Sequence, residues 1–366
     1  MVLRLRKSLY GLKQSSHEWY GTFKDFVIMI GFVASHVDGG LFVLYDKNQE
    51  IVVAAVVLYV DDLLIIANEG LIGQMKNQMK KRFRMHDLGS VSLYLGLNIE
   101  PNREHHMIDI HQHSYIRTIL AKFRMDESRP VSTPMAMKLH KRQPNEEACD
   151  PTIYQSMIRS LMYTMTATRP DIAHAIGVLS RFNHDPSNAH MIALNRVIRD
   201  LNGTKDWQLR FGGPLGGALG GALGGALGGA LGGALGGALG GALGGALGGA
   251  LGGALGGEAE GALRCYVDSD YVGCPDDYKS RRGLVITFRG AVDWRSRKQK
   301  STAQSMTDTE YYAFGVGCMK LTQISHLLNE LGILTISHMF SDSQSLIASI
   351  KNRIYRGTAV AHISTK

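Results

Sequence analysis

The residues of this sequence that could do chemistry are carboxylates set at strand ends and turns, and they gather in two places. The first is Asp61-Asp62, which sits between the apolar run Ile51 to Val60 and a second run, Leu63 to Ala67. β-Branched residues dominate both arms, so the spacing predicts strand, tight turn, strand, with the acids at the turn. Asp also favours turns on its own account. Yet two unpaired carboxylates between buried-type strands, two residues after Tyr59, are costly unless a cation compensates them. Mg²⁺, held by carboxylates and substrate phosphates, suits that role. The second place is assembled from three segments. Leu263 to Val267 reads as a short strand ending in Asp268-Ser269-Asp270. Thr307-Asp308-Thr309-Glu310-Tyr311 opens a helix, and Asp342 follows the strand-like Met339-Phe340. Acids so placed can converge above one sheet edge, and three or four convergent carboxylates are what a two-metal nuclease uses to clamp attacking and leaving oxygens. The plainer alternatives are a turn for Asp268, a helix cap for Asp308 and an N-cap for Asp342.

The elements that must position these acids are partly legible. Phe23 to Met29 recurs with helical period and Gly31 stops it; Leu41 to Tyr45 and Ile51 to Val60 are strand-like around an Asp46-Lys47-Asn48-Gln49 turn. A polar helix is expected from about Glu69 to Phe83. Its Lys76, Lys80, Lys81, Arg82 and Arg84 read as a solvated face or as contacts to a nucleic-acid backbone. The 366 residues carry a formal net charge of +8, which favours a polyanionic partner, nucleic acid before acidic lipid. Cys149, Cys265, Cys274 and Cys318 lack zinc-site spacing and read as free thiols of a reducing compartment. His105, His106, His111 and His113 cluster, but three of them alternate with apolar residues as a strand does, which argues against a metal site.

From Gly212 to Gly257 the chain is a tetrapeptide array, mostly Gly-Gly-Ala-Leu. It separates about 210 residues from about 110, which suggests two folded parts. Gly-x-x-x-Gly spacing occurs in membrane helix contacts, but half of the array is glycine and no aromatic belt flanks it. Glycine disfavours a long helix in water, so the reading is a flexible linker spanning roughly 35–40 Å end to end. No secretory signal is visible after Met1.

Ordered boxes then tie the segments together. Leu9-Tyr10-Gly11-Leu12-Lys13-Gln14 is followed by Trp19, with Ser15-Ser16 where an Ala-Pro pair is usual. Tyr59-Val60-Asp61-Asp62 comes next, then Phe83-Arg84-Met85-His86-Asp87-Leu88-Gly89 and Tyr94-Leu95-Gly96. Pro130-Val131-Ser132-Thr133-Pro134, Ser160-Leu161-Met162-Tyr163, Thr168-Arg169-Pro170-Asp171 and Leu179-Ser180-Arg181-Phe182 complete the order. The set resembles copia-type LTR retrotransposon Pol polyproteins, and covers residues 3 to 211. After the array, Asp268-Ser269-Asp270-Tyr271, Trp294-Arg295-Ser296-Arg297-Lys298-Gln299-Lys300 and Asp342-Ser343-Gln344-Ser345 resemble the ribonuclease H domain of the same elements.

The resemblance implies an α+β and α/β fold in three parts: an incomplete reverse-transcriptase palm, thumb and connection over residues 1–211, a Gly-rich disordered linker over 212–257, and a C-terminally truncated ribonuclease H-like α/β domain over 258–366. It implies RNA-directed DNA synthesis and hydrolysis of RNA in RNA–DNA hybrids, with Mg²⁺, or Mn²⁺ in its place, at two-metal sites. Asp61 and Asp62 would be catalytic and metal-binding acids in the first part, and Asp268, Glu310 and Asp342 in the second, with Asp270 as the fallback for Asp268. Lys13 and Gln14 would lie near nucleotide and template, and Lys298 and Lys300 on the hybrid backbone. Implied partners are an RNA template, an RNA–DNA hybrid, deoxynucleotides, and copies of itself or other Pol and Gag products; no membrane is implied. The implied setting is a cytoplasmic virus-like particle or the nucleus, not secretion. The family also carries an Asp upstream of the Leu5–Gln14 region and a final Ala-Asp-x-x-Thr-Lys box with a fourth acid, where the aligned stretch here reads Ala361-His362-Ile363-Ser364-Thr365-Lys366. Truncation at both ends, with impaired activity, is therefore expected. The rival expectation is a catalytically dead nucleic-acid-binding relic or a pseudogene product.

Overall fold

The computed structural model describes residues 9, 11–48, 51–136, 139–212 and 262–352. The array beyond Gly212 lies outside them, as does the Ala361 to Lys366 segment. The chain divides into two compact units, Met1–Val91 with Thr322–Thr335, and Ser92–Leu321 with Ile336–Lys366.

In the first unit, α1 (Lys13–Met29) leads through β1 (Val33–Ala34) to an antiparallel sheet continued by β2 (Leu41–Tyr45), β3 (Val52–Tyr59) and β4 (Asp62–Ala67), in that spatial order. Gly31 follows α1 at φ +101°, a left-handed conformation that stops the helix without side-chain strain. Helix α2 (Glu69–Arg82) begins where the Asn68 side chain accepts the Leu71 N–H, the N-cap that fixes its first turn. Phe23, Phe26 and Val27 of α1 pack with Phe42, Val56 and Leu58 of the sheet and with Met75 and Met79 of α2. Phe83, from the box after α2, joins this core edge-on to Trp19 and Phe26. On α2 the basic run is partly neutralised, because Lys76 and Lys80 both pair with Asp87. The Lys76 hydrogen bond is the main reason that the Asp87 carboxyl sits at about 2.

The second unit holds two further sheets among the described residues. One is the meander β5 (Leu93–Tyr94), β6 (Leu97–Asn102), β7 (Met107–His111) and β8 (Leu209–Gly212). Between β7 and β8 run α3 (His113–Lys122), α4 (Pro151–Ala167), α5 (Ala173–Leu179) and α6 (Asn188–Gly203). Their core joins Ile116 and Ile119 to Tyr154, Leu161, Ile176, Leu194 and Val197. The third sheet has the order β11 (Ala291–Lys298), β10 (Arg281–Thr287), β9 (Leu263–Ser269), β12 (Ser337–Phe340). β9 to β11 are antiparallel, and β12 joins β9 in parallel. The parallel pair requires a crossover, and it contains α7 (Met306–Glu330), which belongs to this unit as far as Leu321; α8 (Gln344–Lys351) follows β12.

The Thr168-Arg169-Pro170-Asp171 box is structural. Pro170–Ile172 form a short 3-10 turn that leads into α5. Arg169 is fully buried and grips Asp171 through two bonds, Nε to Oδ1 at 2.9 Å and Nη2 to Oδ2 at 2.6 Å. It also donates to the Thr204 carbonyl at 3.0 Å and lies 3.9 Å from Asp200, whose carboxyl is pushed up to about 7 by burial and then by Asp171. One guanidinium thus holds two buried acids. Removing it by Arg169→Ala strands both, and the expected loss is about 3–5 kcal/mol. A denaturant titration followed by helical circular dichroism will measure it; a loss below about 1 kcal/mol contradicts the assignment.

Candidate metal centre

Asp268, Glu310 and Asp342 come together: each offers a carboxylate oxygen, and these oxygens all lie within 4.8 Å of one another. Three elements bring them there. Asp268 is the second-last residue of β9, in register with Gly283 of β10, so it sits in the ladder and not in a turn. Glu310 lies in the first turns of α7, and Asp342 just beyond β12, the strand parallel to β9. The capping roles open to the acids are taken by serines. Ser305 Oγ accepts the Asp308 N–H, and Ser343 Oγ accepts the Leu346 N–H at the start of α8.

Close approach of α7 to β9 is a condition of the cluster, and Gly317 permits it. A Cβ there would lie 2.6 Å from Val267 Cγ1 and 2.8 Å from Met339 Cε. Gln299, buried just after β11, ties the ends of the elements together, since its Nε2 donates to Ser269 Oγ and to the Thr309 carbonyl, both at 3.1 Å. Neither residue stood out in the sequence as part of the site; a lone Gly within a helix and a Gln at the end of a basic run are weak signals.

The electrostatics are unfavourable to the acids alone. Asp268 and Glu310 are each only 8 % exposed. The Ser269 N–H donates to Glu310 Oε1 at 3.3 Å, but Asp268 Oδ2 and Glu310 Oε2 are buried without a hydrogen-bond partner. Burial, then the neighbouring Asp342 charge, pushes the Asp268 carboxyl up to about 7. Burial, then Asp268 and Asp342, pushes Glu310 up to about 8. Asp342 is exposed, which leaves the cluster open on its side. Hard, converging, under-donated oxygens fit a divalent cation such as Mg²⁺. Asp270 is not in the group; its Oδ1 accepts the Arg281 N–H at 2.5 Å. Lys298 pairs with Asp277 at 2.6 Å, and Lys300 is exposed.

Asp61 and Asp62 lie at the β3–β4 turn and are both exposed, with Tyr59 in register opposite Asp62. Among the described residues no third acid, His or Cys joins them in a ligand group. Val60 stands at φ +56°, a left-handed conformation that a β-branched residue rarely adopts, and Trp19 Nε1 donates to its carbonyl at 2.6 Å. Trp19 belongs to α1, whose first turn holds Lys13 and an exposed Gln14, so the helix carrying that box braces the Asp-Asp turn.

The family described as Reverse transcriptase (RNA-dependent DNA polymerase) matches residues 1–137. The chain is 33% identical over 371 residues to the Retrovirus-related Pol polyprotein from transposon TNT 1-94 of Nicotiana tabacum, covering 97% of this chain and 24% of that protein. It is 32% identical over 340 residues to the Retrovirus-related Pol polyprotein from transposon RE1 of Arabidopsis thaliana, covering 91% and 19%. The counterpart from transposon RE2 of the same plant is 32% identical, covering 92% and 20%. The chain thus spans 19–24% of these relatives' length. No solved structure matches it.

Folding raises both buried carboxyl pKa values. The folded state therefore keeps protons that the unfolded chain has already released above the ordinary carboxylate range. The stability this contributes is present at low pH and is lost as pH rises through about 7 and 8. In EDTA the thermal midpoint should fall between about pH 5 and pH 8, and Mg²⁺ should restore it at the upper end. Asp268→Asn should flatten the dependence and stabilise the metal-free chain by about 1–3 kcal/mol at the upper end. A midpoint that is flat with pH in EDTA contradicts the electrostatic reading.

Proposed function

Because the chain belongs to the reverse-transcriptase family of copia-type Pol polyproteins, we propose that its acid cluster is a divalent-metal centre that hydrolyses the RNA strand of an RNA–DNA hybrid. The observation that carries the reading is the pair of buried carboxylates with orphaned oxygens beside a third, exposed one. Bound Mg²⁺ supplies positive charge for the attacking water and for the departing 3′ oxygen. Asp268 and Glu310 would hold that ion from the buried side. Asp342 would hold it from the exposed side of the cluster. The Ser269 N–H orients Glu310, and Gln299 holds the neighbouring Ser269 and Thr309 in place, so little reorganisation is left for the reaction itself. Specificity for the hybrid is then a matter of its shape and 2′-hydroxyls, read by the basic surface that includes Lys298 and Lys300.

The same reasoning gives templated DNA synthesis a weaker footing in this chain. The Asp61-Asp62 turn is the polymerase pair of the family, with Lys13 and Gln14 on the nucleotide and template side. Two exposed acids, without a third among the described residues, hold cations loosely and depend on substrate phosphates to complete the coordination. Hydrolysis is thus the activity the described side chains support better. The organisation into a polymerase part over 1–211 and a ribonuclease H-like part over 258–366 belongs to the same proposal.

A labelled RNA–DNA hybrid incubated with the purified full chain tests both activities. Mg²⁺-dependent RNA cleavage is expected, with Asp268→Asn and Glu310→Gln each lowering the rate by about two orders of magnitude or more. Primer extension in the same buffer should be much the slower reaction. Cleavage that survives EDTA, or that both substitutions leave intact, overturns the assignment.

A further inference from the structure

A cleft of about 610 Å³ lies within the second unit, walled by the α4–α5 helices on one side and by β11 on the other. Its helical wall is apolar, with Met162, Met165 and Ile176; its strand wall carries Trp294, Ser296 and Arg297. Two bonds hold the walls apart at a fixed spacing. Trp294 Nε1 donates to the Met165 carbonyl at 2.8 Å, and Arg281 Nη2 donates to the Gly177 carbonyl at 3.3 Å. The approach at Gly177 is close, since a Cβ there would lie 2.9 Å from Arg281 Nη1.

The charges in the cleft do not cancel. Lys298 is paired with Asp277 and Arg295 with Asp293, so these four contribute little net charge. Arg281 is buried and lines the cleft, donating to the Gly177 and Ser296 carbonyls, and the Asp270 carboxylate partly offsets its charge. Arg297 is exposed and has no carboxylate partner among the described residues. Ser296 Oγ is buried there with no hydrogen-bond partner. The cleft therefore combines an indole and thioethers, two guanidinium charges and a spare hydroxyl. A buried arginine is a strong receptor for phosphate oxygens, and an aromatic ring beside thioethers receives a flat apolar ring. The volume falls in the range of small-ligand sites.

From this geometry we infer that the cleft is a binding site for one nucleotide unit, with its phosphate on the Arg281 and Arg297 side and its base against Trp294 and the methionines. A phosphate group finds its free positive charge at the exposed Arg297, with the buried Arg281, which also faces Asp270, behind it. The unit can be a free nucleoside monophosphate or the 5′-phosphorylated end of a single strand. The inference is independent of the metal centre, because no residue of the acid cluster lines the cleft.

Calorimetric titration of the full chain in EDTA tests it, so that metal chemistry is silent. Deoxyadenosine 5′-monophosphate should bind, and more tightly than inorganic phosphate or deoxyadenosine alone. Arg297→Gln should weaken that binding by about tenfold, the scale of one charge-assisted hydrogen bond. Met162→Trp, at a half-exposed position, should abolish it by filling the apolar wall. Both changes are at the surface of the cleft, and an unchanged thermal midpoint will verify the fold. A short 5′-phosphorylated oligodeoxynucleotide that binds more tightly than the mononucleotide identifies a strand end as the source; equal binding identifies the free nucleotide. The inference is overturned if the mononucleotide does not bind, if phosphate alone binds equally well, or if both variants bind it like the parent.

Discussion

Two carboxyl groups buried side by side, Asp268 and Glu310, set the terms for the sheet that carries them. Each has an oxygen left without a hydrogen-bond partner, and both are pushed towards the protonated form by burial and then by neighbouring acids, Asp342 beside Asp268 and Asp268 with Asp342 beside Glu310. Such an arrangement works against folding at neutral pH unless positive charge arrives from outside the chain. Much of the local architecture enforces it all the same. Gly317 removes the side chain that would keep α7 off β9, Gln299 ties the strand ends to the helix start, and the β9–β12 parallel pair brings Asp342 alongside. Structure that holds like charges together against their repulsion is characteristic of a site that recruits a cation.

The rest of the molecule shows what the chain does when it has no such purpose. Asp171 and Asp200 are also buried acids close together, but Arg169 lies between them and donates to Asp171 in a bidentate grip. That network is closed within the chain. Asp61 and Asp62 show a third condition, in which exposure to water removes the penalty altogether. What is unusual there is conformational: Val60 is held in the left-handed region, with the Trp19 indole bonded to its carbonyl. Strain of that kind is kept by surrounding structure, and its place beside the acids is consistent with a turn shaped for a ligand.

How much of this could be read from the sequence depended on whether the signal was local. The strand Leu41 to Tyr45 appears as read, the polar helix ends at Arg82 in place of Phe83, and the Asp-Asp turn lies between β3 and β4. All three follow from periodicity and turn chemistry within a few residues. The strand ending at Val267 instead runs on through Ser269, because β10 pairs with Asp268 and Ser269 and extends the ladder past the apolar run. Capping was ambiguous for a similar reason: Asp308 and Asp342 could each have capped a helix, and neighbouring serines at positions 305 and 343 do so in their place. Gln299, Gly317 and the α5–β11 cleft were invisible, since their roles exist only once segments far apart in sequence have met.

The two acid sites also differ in what they need in order to hold a cation. A turn with two exposed carboxylates offers few ligands, and hard cations such as Mg²⁺ give up water reluctantly. Occupancy at Asp61-Asp62 on the proposed reading is therefore coupled to the phosphates of a bound nucleotide, and the metal arrives as part of the substrate. The cluster at β9 stands differently, because its buried acids gain from neutralisation whether or not nucleic acid is present. On the proposed reading, a cation bound there would stabilise the fold as well as the reaction. The proposed hydrolytic centre is thus preassembled, whereas the synthetic one is completed by its substrate. On that reading, two sites built from the same residue type would depend on substrate to different degrees because one pair of acids is buried and the other left in water.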